Sequence, residues 1–110
     1  MKTSDKLKDG AVVVLFSSDT CHPCKVMKQN LDNLIPLYNG RYCANVHYAI
    51  LYAENHKDIF DEYAVRGVPQ VLMMIDGEVI HHIDGKPNTL LLEARLIDFY
   101  RKVQGATHDE

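Results

Sequence analysis

A six-residue apolar run, Ala11–Phe16 (AVVVLF), constrains the fold of this chain more than any other feature. Hydrophobic residues fill every position of the run instead of alternating with polar ones, and three of them are β-branched valines. This pattern is typical of a strand that is covered on both faces. The sequence therefore predicts a strand inside a sheet, with helices packed above and below it.

Three further apolar segments predict the other strands, at Val46–Ala53, Val71–Ile75 and Val79–Ile83. Asp76-Gly77 separates the last two segments, and that dipeptide favours a tight hairpin, so we expect these strands to pair antiparallel. The first two strands alternate with helical segments and should therefore be parallel neighbours. We expect an α/β fold in which one mixed, four-stranded sheet carries helices on both faces.

Helical segments fill the intervals between the predicted strands. Residues 3–9 allow one or two turns, and residues 57–64 predict a short helix. After the second cysteine, a longer helix shows one apolar stripe, formed by Met27, Leu31, Leu34, Ile35 and Tyr38. We expect Pro36 to bend or end this helix. A last helix should be capped by Asn88 or Thr89.

The size and charge of the chain argue against several classes of function. With 110 residues it is long enough for one domain, residues 1–110, and too short for two. A formal net charge of −3 without a long basic run argues against nucleic acid as a partner. Ala11–Phe16 is shorter than a membrane span of roughly 20 residues and shorter than the core of a secretory signal. We therefore expect a cytoplasmic protein without a membrane partner.

Two cysteines, Cys21 and Cys24, stand where the first strand gives way to the longer helix, in the segment SDTCHPCKVM. The first turn of a helix carries free N–H groups and partial positive charge, which stabilise a thiolate. We therefore expect the pKa of Cys21 to lie below the free value of about 8.5. A thiolate is the attacking species in disulfide exchange, and the spacing brings the second sulfur close. Cys24 could then attack a mixed disulfide formed at Cys21.

The two residues between the cysteines are expected to tune the pair. Pro23 lies in the first helical turn, where a missing N–H costs little. A protonated His22 would stabilise the Cys21 thiolate further, and a more stable thiolate makes the disulfide more oxidising. We therefore expect this pair to be less reducing than one with a neutral residue at position 22.

Other interpretations of the cysteines compete with exchange. A structural zinc site takes about four ligands, and the remaining candidates lack zinc-finger spacing; they are Cys43, His47, His56, His81 and His82. His81 and His82 should point to opposite faces of one strand, so they do not suit one metal ion. A purely structural disulfide is disfavoured in a reducing cytosol. Cys43 itself is expected to be buried or half-buried near the start of a strand.

In the order and spacing of its motifs, the chain resembles the thioredoxin family over about residues 4–104. The matching parts are the strand AVVVLF, the Cys-x-x-Cys motif at its end, the segment YAVRGVPQVLMMIDGEVI, and Gly85 after it. The resemblance implies a thioredoxin fold and a thiol–disulfide oxidoreductase that reduces protein disulfides through a reversible Cys21–Cys24 dithiol. It also implies that the chain needs no cofactor and no metal.

The resemblance assigns substrate contacts and partners as well. It implies a cis peptide bond at Pro69, a Val68 backbone that pairs with an extended substrate segment, and a Gly85 that lets the substrate approach closely. Thr20 stands where the family carries a tryptophan that offers partners an apolar platform. The implied partners are proteins with disulfides and, as the electron donor, either a separate thioredoxin reductase or glutathione. A monomer is expected.

Two positions that the family fills with buried charged residues also depart from the family pattern. The buried aspartate that family members carry six residues before the first cysteine is Leu15 here, and a matching lysine on the next strand is Ile50. That aspartate commonly accepts the proton of the second cysteine, so Cys24 must lose its proton in another way. Two alternatives to disulfide reduction remain: a docking subunit of a larger enzyme, and a more oxidising disulfide oxidase or isomerase, which His22 favours.

Overall fold

The computed structural model describes residues 3–85 and 88–108, and its strands and helices follow one another in the order that the sequence predicts. In chain order, the elements are α1 (Thr3–Lys6), β1 (Ala11–Ser17), α2 (His22–Arg41), β2 (His47–Tyr52), α3 (Lys57–Glu62), β3 (Gln70–Ile75), β4 (Glu78–Asp84) and α4 (Thr89–His108). Within these residues, none of the helices is both long enough and apolar enough for a transmembrane span.

The strands form one mixed sheet in the order β2-β1-β3-β4, which confirms the predicted fold class. β1 runs parallel to β2 and antiparallel to β3, and β3 pairs antiparallel with β4. Asp76 and Gly77 form the hairpin between β3 and β4 with φ angles of 50° and 87°, the left-handed conformation that a tight two-residue turn of the primed type requires. The Asp76 carboxylate accepts a hydrogen bond from the Gly10 N–H at 2.9 Å and so ties this hairpin to the start of β1.

The two faces of the sheet support two hydrophobic cores. The first core joins one face to α2 and α4, and its buried residues include Val13, Leu15, Met27, Leu31, Ile35, Tyr38, Val71, Met73, Leu92, Leu96, Phe99 and Tyr100. The second core joins the opposite face to α3 and to Leu7, which directly follows α1, and its buried residues include Leu7, Val12, Val14, Phe16, Ile59, Phe60, Leu72 and Met74. Successive residues of β1 alternate between the two cores, which confirms that this strand is covered on both faces.

Pro36 does not end the long helix, so that part of the expectation was wrong. α2 continues through Pro36 to Arg41. A proline inside a helix removes one N–H and crowds the preceding turn. Here the proline lies on the exposed side, so water can satisfy the carbonyl group that loses its partner. The flanking Ile35 and Tyr38 are buried on the opposite side and hold the helix against the first core.

The adjacent His81 and His82 point to opposite faces of the sheet, as predicted. His81 Nε2 lies 2.6 Å from Asp98 Oδ2 on α4, whereas His82 Nε2 lies 2.7 Å from Gln70 Oε1 at the start of β3. Lys102 also donates to Asp98, and its hydrogen bond, followed by that of His81, holds the pKa of Asp98 below its ordinary value. The histidine at position 81 therefore fastens β4 to the last helix.

Asn39 connects the end of α2 to two other parts of the chain. Its Oδ1 accepts a hydrogen bond from the Val46 N–H at 3.0 Å, and its Nδ2 donates to the Val46 carbonyl at 3.2 Å. The hydroxyl of Tyr100 on α4 donates to the same Oδ1 at 2.9 Å. This one amide thus joins α2, α4 and the segment that leads into β2.

Replacing Asn39 by alanine should lower the free energy of unfolding by about 2–3 kcal/mol, because partly buried groups lose their hydrogen-bond partners. Urea denaturation followed by circular dichroism measures the change. Asn33→Ala, at an exposed position of the same helix, is the matched control and should stay within about 0.5 kcal/mol of the wild type. Equal stability of the Asn39→Ala and wild-type proteins would contradict the role assigned to this amide.

Candidate active site

The cysteine pair lies at the edge of the sheet where β1 ends. The strand register places Phe16 opposite Gln70 and Ser17 opposite Tyr52, so the segments after β1, after β2 and before β3 emerge together. Gln70 also lies opposite Asp84, which brings the end of β4 to the same edge. The register therefore gathers four separate parts of the chain at this edge: residues 18–21, 53–55, 67–69 and 85.

Cys21 and Cys24 form a disulfide across the first turn of α2, with their Cα atoms 5.3 Å apart. Cys21 is the N-cap of this helix and has an extended backbone conformation, with φ −97° and ψ 109°. Its Sγ accepts a hydrogen bond from the Cys24 N–H at 3.2 Å, which satisfies one of the free N–H groups of the helix start. The predicted closeness of the two sulfur atoms is confirmed, and Cys21 lies where the helix favours negative charge.

Solvent reaches the two cysteines unequally. Cys24 is fully buried, with 0% of its surface exposed, whereas Cys21 is half-buried. Between them, His22 is exposed, and Pro23 occupies the first helical turn as predicted. An incoming disulfide can therefore meet Cys21 first, while Cys24 is placed to act on a bond that Cys21 has already formed.

A carboxylate that the sequence analysis missed holds the loop in front of Cys21. Glu54, just after β2, accepts a hydrogen bond from the Ser18 hydroxyl at 2.8 Å and lies 3.4 Å from the Asp19 N–H nitrogen. The hydrogen bond from Ser18 is the main reason that the pKa of Glu54 lies below its ordinary value. The sequence signal for this contact is an acidic residue that follows β2 at the edge where β1 also ends.

The residues expected to contact substrate lie at this same edge. The Val68–Pro69 peptide bond is cis, as predicted. The Pro69 carbonyl accepts a hydrogen bond from the Gly85 N–H at 3.2 Å, so the two residues are direct neighbours. Gly85 has a φ of +98°, which side chains rarely allow, and no described atom beyond its chain neighbours lies within 4 Å of where a Cβ would stand. Thr20 is exposed, one residue before Cys21.

The two positions at which the family carries buried charged residues, Leu15 and Ile50, are neighbours in the sheet. Leu15 lies opposite Ile50 in the register of β1 and β2. Leu15 is fully buried, and Ile50 packs against the same core. Both side chains are apolar, so neither offers Cys24 a proton acceptor. The apolar pair also avoids a buried charge without a partner, which would cost several kcal/mol.

Cys43 lies at the opposite end of the sheet from the other two cysteines. It is exposed, so the expectation of a buried or half-buried residue was wrong. Its φ of +50° places it in a turn between α2 and β2, outside both hydrophobic cores. It lines an open cavity of about 550 Å³ together with Ala11 and Arg41. Across residues 3–85 and 88–108, no group of three or more His, Cys, Asp or Glu side chains could hold a metal ion.

After reduction of the disulfide, iodoacetamide should alkylate Cys21 at least about ten times faster than Cys24 at neutral pH, because Cys21 is accessible and lies at the helix start. Peptide mass spectrometry over a time course gives both rates. The measurement uses the Cys43→Ser variant, which removes the exposed third thiol. Faster alkylation of Cys24 would contradict the unequal exposure of the two cysteines.

Leu15→Asp should lower the free energy of unfolding at pH 7 by about 3 kcal/mol or more, because it buries a charge without a partner. Ile50→Lys in the same chain should recover about 1–2 kcal/mol, because the two side chains are neighbours on one face of the sheet. Urea denaturation of both single variants and the double variant measures this coupling. Strictly additive losses would show that the two side chains do not interact.

Comparison with known proteins shows that the sequence of this chain is similar to that of one protein family. Residues 3–100 match the model of the thioredoxin family. The chain is 34% identical over 85 residues to the mitochondrial thioredoxin of Bos taurus, a match that covers 77% of this chain and 49% of that protein. It is 33% identical over 76 residues to a thioredoxin of Pseudomonas aeruginosa, which covers 68% of this chain and 67% of that protein. The chain thus spans about half the length of the mitochondrial relatives that it matches.

A solved structure extends the comparison to the fold. The oxidised form of mitochondrial thioredoxin 3 from Saccharomyces cerevisiae superposes with a TM-score of 0.73 at 27% sequence identity. The superposition covers 86% of this chain and 85% of the yeast protein. Sequence, sheet topology and the position of the cysteine pair lead to the same conclusion: this chain belongs to the thioredoxin family.

Proposed function

We propose that this chain is a thiol–disulfide oxidoreductase that reduces disulfides in other proteins. The observation that carries the proposal is the asymmetry of the cysteine pair. Half-buried Cys21 caps α2, and Cys24, bonded to it, is fully buried behind it. Such a pair has one sulfur that meets the substrate and one that resolves the bond formed. Membership in the thioredoxin family supports this reading.

The reaction consists of two exchange steps. In the reduced protein, the Cys21 thiolate attacks one sulfur of a substrate disulfide, a Cys21–substrate bond forms, and the other substrate sulfur leaves as a thiolate. Cys24 then attacks the Cys21 sulfur, the Cys21–Cys24 bond forms, and the second substrate sulfur leaves. The substrate gains an electron pair and takes up protons to become a dithiol. The cysteine pair becomes the disulfide that this structure contains.

The start of α2 stabilises the attacking sulfur. The Cys24 N–H that donates to Cys21 Sγ at 3.2 Å can donate equally to a thiolate, and hydrogen bonds to charged acceptors are stronger. The partial positive charge of the helix start acts in the same direction. A protonated His22, exposed in the first turn, would add to both effects.

Substrate contact is assigned to four residues at the same edge of the sheet: Thr20, Val68, Pro69 and Gly85. An extended substrate segment would pair with the backbone of Val68, which precedes the cis proline. The space beside Gly85, which is free of other described atoms, would admit this segment, and the Pro69–Gly85 hydrogen bond keeps these two residues together. Thr20 presents a small polar side chain beside Cys21, so the platform there is less apolar than a tryptophan would make it.

The oxidised pair must be reduced again before a second cycle. We assign this step to a separate thioredoxin reductase or to glutathione, since the two-step exchange needs no cofactor on this chain. We further propose that the protein acts in a reducing compartment such as the cytoplasm and that it is a monomer.

A more oxidising role is the second candidate, and the observation that favours it is the exposed His22 next to Cys21. A histidine that stabilises the thiolate stabilises the reduced pair, so the disulfide becomes a better oxidant. Equilibration with glutathione measures the reduction potential of the pair and decides the direction of net electron flow.

Cys21→Ser should abolish the reduction of insulin by dithiothreitol above the uncatalysed rate, because no sulfur remains to attack the substrate. Cys24→Ser, reduced beforehand and then freed of dithiothreitol, should form a covalent adduct with insulin that persists, because no second thiol resolves the bond. Turbidity of the insulin chains measures turnover, and intact-protein mass spectrometry detects the adduct.

Cys43→Ser is the matched control for these variants, and it should retain the wild-type rate because Cys43 lies at the opposite end of the sheet. Equal insulin reduction by the Cys21→Ser and wild-type proteins would contradict the proposed enzyme. That result would instead favour the docking subunit of a larger enzyme.

A further inference from the structure

Gln70 connects two separate parts of the chain through its side-chain amide. Its Nε2 donates a hydrogen bond to the Gly67 carbonyl at 2.9 Å. Its Oε1 lies 2.7 Å from His82 Nε2 on β4. Gln70 directly follows Pro69 and is only 7% exposed, so its amide is largely removed from water. A buried amide needs partners for both of its polar atoms, and these two contacts supply them.

The direction of the two hydrogen bonds follows from the chemistry of the groups. A backbone carbonyl oxygen only accepts, so the Gln70 amide presents its nitrogen to Gly67 and its oxygen to His82. His82 must then donate from a protonated Nε2. The result is a directed series of hydrogen bonds from His82 through Gln70 to Gly67, and it is called the Gln70 bridge below.

The Gln70 bridge ends at Gly67, directly before Val68 and Pro69, to which substrate contact is assigned. Gly67 is exposed, and no described atom beyond its chain neighbours lies within 4 Å of the place where a Cβ would stand. No described side chain packs against Gly67 at this point, and the hydrogen bond from Gln70 restrains its carbonyl directly. Val68 follows immediately, so the orientation of its peptide groups depends on the same restraint.

The strand register explains why His82 can reach Gln70. Leu72 lies opposite His82, and Gln70 lies two residues before Leu72 on the same face of β3. His82 and Gln70 are therefore diagonal neighbours across the β3–β4 pair, within reach of long side chains. His81, the adjacent residue, points to the other face and contacts Asp98 instead.

We infer that Gln70 and His82 are positioning residues for peptide substrates, because the Gln70 bridge holds the backbone of residues 67–69 in the orientation that pairs with an extended chain. This inference rests on the proposed function. The two residues act through the backbone of residues 67–69 and not through the cysteine pair. Their loss should therefore weaken the binding of peptide substrates and leave the chemical steps unchanged.

Steady-state kinetics with two disulfides tests this inference. Insulin offers an extended backbone to Val68, whereas bis(2-hydroxyethyl) disulfide offers none. Gln70→Ala should raise the KM for insulin about five- to tenfold, as expected for a lost backbone restraint of hydrogen-bond strength, and should leave kcat within about twofold. The rate with bis(2-hydroxyethyl) disulfide should also stay within about twofold of the wild-type rate.

Variants of His82 separate positioning from a general loss of structure, because His82 itself is exposed. His82→Ala should raise the KM for insulin about threefold, and adding it to Gln70→Ala should give no further increase. His82→Gln should restore the wild-type KM, since its amide nitrogen can donate from nearly the position of Nε2. His81→Ala is the matched control on the same strand and should leave the KM unchanged.

Each outcome of these measurements has one meaning. An unchanged KM in Gln70→Ala, or an equal loss of rate with both disulfides, would overturn the positioning role. A wild-type protein without activity on either disulfide would overturn the proposed function instead. In that case the Val68 amide resonance still decides the structural half of the inference: it should broaden in His82→Ala and remain sharp in His81→Ala, and identical spectra would contradict the Gln70 bridge.

Discussion

The pairing of β1 on both of its edges is the constraint on which the candidate site depends. β1 lies between β2 and β3, parallel to one and antiparallel to the other, and its residues alternate between two cores. A slip by one residue would exchange these faces, so burial on both sides fixes the register. The same register brings Cys21, Glu54, Pro69 and Gly85 to one edge. Apolar side chains in the sheet thus determine where the reactive sulfur stands.

Much of this fold follows from local patterns in the sequence. The continuous run at Ala11–Phe16 and the Asp76-Gly77 turn predict the strand pairing, because burial and turn geometry leave few alternatives. Whether the helix continues through Pro36 was harder to predict, since a proline in a helix is tolerated only where water can bond to the carbonyl group that loses its N–H donor. Likewise, whether Cys43 is exposed depends on how the turn after α2 is placed relative to the two hydrophobic cores. That residues 1–110 form one domain, and that the protein is cytoplasmic, stay predictions.

The site could be predicted only as far as its short-range geometry. The spacing of Cys21 and Cys24 places both in one helical turn, and their position after a strand places that turn at an exposed edge. The Glu54 contact and the Gln70 bridge could not be found in this way, because each joins residues that are brought together only by the strand register. For His82, the alternation of side chains along β4 predicts on which face of the sheet the imidazole lies, but it does not predict that Gln70 is its hydrogen-bond partner.

In the proposed reaction, the apolar pair Leu15–Ile50 has a consequence for the step that releases the reduced substrate. Both strands carry hydrocarbon side chains at these two positions, so neither position supplies an internal base. As Cys24 attacks Cys21, the substrate sulfur bound to Cys21 leaves as a thiolate, and this thiolate can take up the proton that Cys24 gives up. The substrate can thus assist its own release. The rate of turnover would then depend on the basicity of the substrate's thiol as well as on the sequence around it.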